Sequence, residues 1–96
     1  MATSTIKNDV VFERYSAGSH TDVDVPMAAN EKAIIFAAGA GNAKAAYIVN
    51  TTSANACSSL EIAAGSSSIS IVDGTSKVTI HNGLSYTTTI LVIRYL

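Results

Sequence analysis

Ile69-Ser70-Ile71-Val72-Asp73-Gly74-Thr75-Ser76-Lys77-Val78-Thr79-Ile80 holds two alternating runs around an Asp-Gly pair. A period of two places one set of side chains on each side of a strand, and Asp-Gly between two such runs is a strong hairpin signal. Opposite residues in an antiparallel pair share a face. Pairing Val72 with Lys77 predicts Ile71 opposite Val78 and Ile69 opposite Ile80, an apolar face. Ser70 then lies opposite Thr79 and Ser68 opposite His81 on a polar face. A one-residue slip would turn the apolar set outward, so the pattern restricts the register.

The same pattern recurs on both sides of this hairpin. Apolar-alternating segments occupy 9–15, 20–25, 32–38, 44–50, 58–62, 68–72, 77–82 and 86–95, separated by turns rich in Gly, Ser, Asn and Thr. Eight short strands at this spacing predict an all-β fold: a single-domain antiparallel β-sandwich, jelly-roll-like, spanning residues 1–96, with 1–8 as an N-terminal arm. Around Pro26 a helical start competes, because Pro suits a first helical turn and Met27-Ala28-Ala29 follows it. Ile34-Ile35-Phe36 has strand character, and the strand reading is preferred. In the last segment Leu91, Ile93 and Tyr95 share one face and Ile90, Val92 and Arg94 the other. A strand apolar on both faces is central in a sandwich or covered by a second subunit.

Composition narrows the function. Net charge is −1, which gives no electrostatic footprint for nucleic acid or for an anionic membrane. Charged residues are 14% of the chain, and from Ala33 to Val72 only Lys44 and Glu61 carry charge. So few charges strain the solubility of a small domain unless hydroxyl residues or a second chain cover the surface. Subunit contact is therefore expected, with Ile90 and Val92 as the interface, or else the segments Ala33 to Ala38 and Ala45 to Val49. No run of 18 apolar residues predicts a membrane span. The N-terminus lacks the order of a signal peptide, so synthesis in the cytosol is expected.

Chemical motifs are sparse. Asp22 and Asp24 share a strand face and could ligate a hard cation, but no further oxygen-donor motif accompanies them, so a solvated face is expected. His20 and His81 fit no metal-ligand spacing, and no Gly-x-Ser-x-Gly elbow occurs. Gly39-Ala40-Gly41-Asn42-Ala43-Lys44 lacks the Gly-Lys-Ser/Thr ending of a phosphate loop and reads as a turn. Cys57 is the only cysteine, so it reads as a small buried hydrophobe. Neither a catalytic residue, a cofactor nor a metal site is expected. The best candidate ligand surface is His81, Asn82 and Tyr86, an aromatic ring with polar neighbours of the kind that recognises sugars.

The opening Met1-Ala2-Thr3-Ser4-Thr5-Ile6-Lys7-Asn8-Asp9-Val10-Val11-Phe12-Glu13-Arg14-Tyr15 resembles the start of short structural proteins of tailed phages and prophages of gut bacteria. Asn30-Glu31-Lys32-Ala33-Ile34-Ile35-Phe36 and the closing segment 86–96 are similar to the same group. The resemblance implies a non-enzymatic virion component of tail-fibre, head-fibre or capsid-decoration type. It also implies a homo-oligomer, often a trimer, that contacts other virion proteins. It transfers no catalytic residue. The alternative expectation is a carbohydrate-binding module that recognises host surface glycans.

Overall fold

A computed structural model describes residues 10–39, 43–64 and 68–95. The expected arm at 1–8 and the centre of the phosphate-loop-like turn, 40–42, lie outside the described residues. Eight strands form: β1 (Val11–Ala17), β2 (Asp22–Pro26), β3 (Lys32–Ala38), β4 (Lys44–Thr51), β5 (Cys57–Ala64), β6 (Ile69–Asp73), β7 (Lys77–Asn82) and β8 (Thr88–Tyr95). Each corresponds to a segment read from the sequence. The Ala-rich stretch after Pro26 turns at Ala29-Asn30 and enters β3 with no helix.

The strands make two antiparallel sheets, β1-β8-β3-β4-β5 and β2-β7-β6. β1–β8 and β2–β7 join the two ends of the chain, as in a jelly roll. β4 and β6 stay in hairpins with β3 and β7, so the division is five plus three. The inner faces meet in one core containing Val25, Ile35, Tyr47, Val49, Ile69, Val78, Ile80, Ile90 and Val92, with Ala33, Ala37 and Ala45 between them. Burying each Ile or Val of this set contributes roughly 1.5–3 kcal/mol.

The opening hairpin forms with its apolar set inward, but its register differs by two residues from the expected one. Ile69 pairs with Asn82, Ile71 with Ile80, Val72 with Thr79 and Asp73 with Val78. A shift of two preserves the faces. The turn is the cause. The turn is closed by the Gly74 N–H donating to the Lys77 C=O at 3.0 Å, in the register of the Asp73–Val78 pair, which leaves Thr75-Ser76 between the closing residues. Its left-handed residue is Ser76, at φ 62°, and not the glycine. Neighbouring elements hold the loop from outside. The Gly74 C=O accepts from the Cys57 N–H (3.0 Å), the Ser76 N–H donates to the Asn55 C=O (2.8 Å), and the Ser76 C=O accepts from the Met27 N–H (2.9 Å).

Candidate functional site

The three-stranded sheet covers one side of the five-stranded sheet, and the other side faces outward. Strand alternation and the pairing register assign the side chains of that outer face. Phe12 pairs with Ile93, Ile93 with Ile34, Ile34 with Ile48 and Ile48 with Leu60. These five residues form an apolar row crossing every strand of the sheet. A second row runs from Arg14 through Leu91 and Phe36 to Ala46. In β5 the register shifts opposite Ala46 and Tyr47, and the extra residue of the bulge, Ile62, adds another exposed apolar side chain.

Phe12 and Leu60 are each 67% exposed, and Phe36, Ile48, Ile62 and Leu91 between 38% and 52%. Together they present on the order of 600 Å² of mainly apolar surface, at the top of the 300–600 Å² typical of a monomer's largest patch. The charged side chains of this face are Arg14, Lys32 and Lys44, at its margins. Glu13 and Glu61, on its two edge strands, point to the opposite side with Val92 and Tyr47, their pairing partners.

Ile90 and Val92, expected as the interface, are fully buried inside the chain against the smaller sheet. That expectation is corrected: β8 has two apolar faces, and the outward one carries Leu91 and Ile93. The alternative segments, now β3 and β4, do reach the surface through Ile34, Phe36 and Ile48.

Asn82 does not lie on the surface with His81 and Tyr86. Adjacent residues of a strand point to opposite sides, and Asn82 points inward. Its Nδ2 donates to the carbonyls of Ala17 (3.1 Å), Gly18 (2.9 Å) and Tyr86 (2.9 Å), and its Oδ1 accepts from the Leu84 N–H (3.0 Å). All these are backbone groups, so Asn82 clamps the end of β1 to the loop before β8. His81 points outward, with Nδ1 2.5 Å from Asp22 Oδ1. Tyr86 is exposed, in the loop beside Gly39, where any added Cβ would lie 3.2 Å from its ring.

Asp24 accepts from Thr79 Oγ1 (2.8 Å) and Lys77 Nζ (3.1 Å), and these hydrogen bonds hold its carboxyl below the usual aspartate value. Both aspartates of β2 are therefore engaged by β7. Among the described residues no group of three or more His, Cys, Asp or Glu is placed to hold a metal ion. Cys57 is half-buried, 3.7 Å from Thr51 Oγ1. No described helix is long and apolar enough to cross a membrane.

No family model, curated protein or solved structure matches the chain.

A charged cluster, not foreseen in the sequence, closes the β1–β2 side of the sandwich. Arg94 is buried, with Nε donating to Glu13 Oε1 at 2.8 Å and Nη1 to Glu31 Oε1 at 2.6 Å. Burial alone would raise the Glu13 pKa. The hydrogen bonds from Arg94 and Tyr15 and the guanidinium charge outweigh it and leave the carboxyl below its ordinary range. The cavity there, about 500 Å³, is lined by Val11, Tyr15, Pro26, Met27 and Ala28 together with these ions. Glu13 and Glu31 lie 81 and 63 residues from Arg94 in sequence, so no local signal announces the cluster.

Proposed function

We propose that this chain is a non-enzymatic structural protein of a phage or prophage virion. It is a small β-sandwich that self-associates through the outer face of its larger sheet and sits on the particle surface as a fibre tip or a capsid decoration. The observation that carries the assembly reading is the Phe12–Ile93–Ile34–Ile48–Leu60 row. A stable interface takes about 800 Å² from each partner, a size this face approaches once its flanking residues are counted. The resemblance of residues 1–15, 30–36 and 86–96 to phage structural proteins supports the virion reading and favours a closed homo-oligomer, with a trimer as the first expectation.

Light scattering on the purified chain tests assembly: a multiple of the 9.9 kDa chain mass is expected, and a monomer that persists at high concentration overturns it. Genes for capsid or tail proteins beside the coding sequence test the virion assignment. The exposure of Tyr86 favours a second reading, recognition of a host surface glycan. It calls for binding on an array of such sugars that is lost in Tyr86→Ala.

A further inference from the structure

Some charged side chains of this protein are satisfied within the chain, and those left over are sorted by sign. Arg94 is held by Glu13 and Glu31, Lys77 by Asp24, and His81 by Asp22. Among the described residues Arg14, Lys32 and Lys44 form no ion pair, and all three are exposed on the outer face of the larger sheet. The described carboxylates without a cation are Glu61 on β5 and Asp73 at the end of β6, both exposed. Asp73 Oδ2 accepts from the Ser59 N–H at 3.2 Å, so both acids lie on the β5–β6 side of the sandwich.

An isologous interface must be complementary to itself. Two of these outer faces laid together on a two-fold axis would bring Arg14, Lys32 and Lys44 of both copies into one interface with no acid among them. Like charges across an interface oppose binding. The β5–β6 side supplies the opposite sign. A cleft of about 320 Å³ opens there, lined by Tyr47, Ile69, Ile71, Ser59, Ser70 and Glu61. It is at the small end of pocket volumes, with room for a single aromatic ring.

Resting on the self-association reading, we infer that the contact between copies is heterologous: Phe12 of one copy enters the β5–β6 cleft of the next, and Arg14 pairs with Glu61 there. Phe12 is 67% exposed and aromatic, the kind of side chain that anchors an interface when a pocket receives it. Phe12 and Arg14 lie two residues apart on one face of β1, about 7 Å, so the ring can fill the cleft while the guanidinium reaches the carboxylate. An arginine and a carboxylate can form two parallel hydrogen bonds, which fixes the approach. β1 and β5 are opposite edges of one sheet, four strand spacings or about 19 Å apart, so Arg14 and Glu61 of the same chain do not meet. Each bound copy then keeps a free Phe12 on one edge or a free cleft on the other. The contact repeats from copy to copy, and a trimer is the smallest ring that closes it.

Charge reversal tests this, with light scattering over a dilution series and thermal melts of the full chain. Arg14→Glu and Glu61→Arg should each weaken association by about tenfold or more. Both side chains are exposed, so the melting of the dissociated chain should not change. Arg14→Glu combined with Glu61→Arg should recover most of the lost affinity, because the pair is rebuilt with its signs exchanged. In oligomers mixed from isotope-labelled and unlabelled chains, nuclear Overhauser contacts between chains should join the Phe12 ring to the Ile71 methyls. Association unchanged in Glu61→Arg, or strengthened in Arg14→Glu, overturns the heterologous contact and leaves self-association through the sheet face standing. Contacts between chains that join Phe12 only to Ile34 or Leu60 do the same. A wild-type chain that stays monomeric removes both.

Discussion

Phe12 on β1 and Leu60 on β5 lie on opposite edges of one sheet, yet they belong to a single apolar row through Ile93, Ile34 and Ile48. Each is two-thirds exposed. An isolated exposed Phe or Leu is ordinary on a protein surface, whereas an unbroken row across five strands is the observation on which the proposed self-association rests.

Phe12→Ser with Leu60→Ser should weaken self-association about tenfold or more, since losing 1.4 kcal/mol of interface energy is tenfold in affinity. Both side chains are exposed within the chain, so chain stability should change by no more than about 0.5 kcal/mol for each. Light scattering over a dilution series, with urea melts of the dissociated form, separates the two effects.

Ile90→Ala should behave oppositely. It removes a fully buried side chain from the core, at a cost of about 2–5 kcal/mol. The loss should be the same at every protein concentration, because the cavity opens inside one chain. A loss that vanished on dilution would place Ile90 between subunits.

Arg94→Met should destabilise the fold by about 3–5 kcal/mol, the cost of leaving a buried charge without its partner. Here Glu31 loses its ion pair and Glu13 both a hydrogen bond and a neutralising charge. The folded-state pKa of Glu13 lies below its ordinary value of 4.5. Its contribution to stability is therefore full above about that pH and is lost as pH falls through the lower folded value. Acid titration of stability should show this loss in the native chain and a smaller one in Arg94→Met.

Asn82→Ala strands the Leu84 N–H and removes the donor shared by three carbonyls. A buried unsatisfied group costs about 1–3 kcal/mol, so a loss on the order of 3 kcal/mol is expected. If Asn82 served a ligand surface instead, its replacement would leave thermal stability unchanged.

Two changes in the β6–β7 loop should have opposite signs. Ser76→Gly relieves a left-handed backbone and should stabilise by up to about 1 kcal/mol. In Gly74→Ala the new Cβ would lie 3.0 Å from the Lys77 carbonyl oxygen, so it should destabilise. Thermal melts of the two variants check the assignment of the turn.

The sequence by itself determined the strands and their faces. Alternation is a local property, and each of Ile69, Ile71, Val78 and Ile80 carries it without help from distant residues. It also showed a shortage of charge between Ala33 and Val72, on which the expectation of subunit contact rests. It did not determine register, because the Asp-Gly signal ranks turns by local preference. The loop obeys its hydrogen bonds to the Asn55 C=O and from the Cys57 and Met27 N–H groups, which lie elsewhere in the chain. Nor could it choose between the two faces of β8. Ile90 and Val92 are as apolar as Leu91 and Ile93, and Arg94 on the same face as the first pair argues locally for solvent. Only the tertiary structure supplies Glu13 and Glu31 to neutralise that arginine and places the smaller sheet over one side alone. Ile90 and Val92 became core, and Leu91 and Ile93 surface, because three strands cover five on one side only.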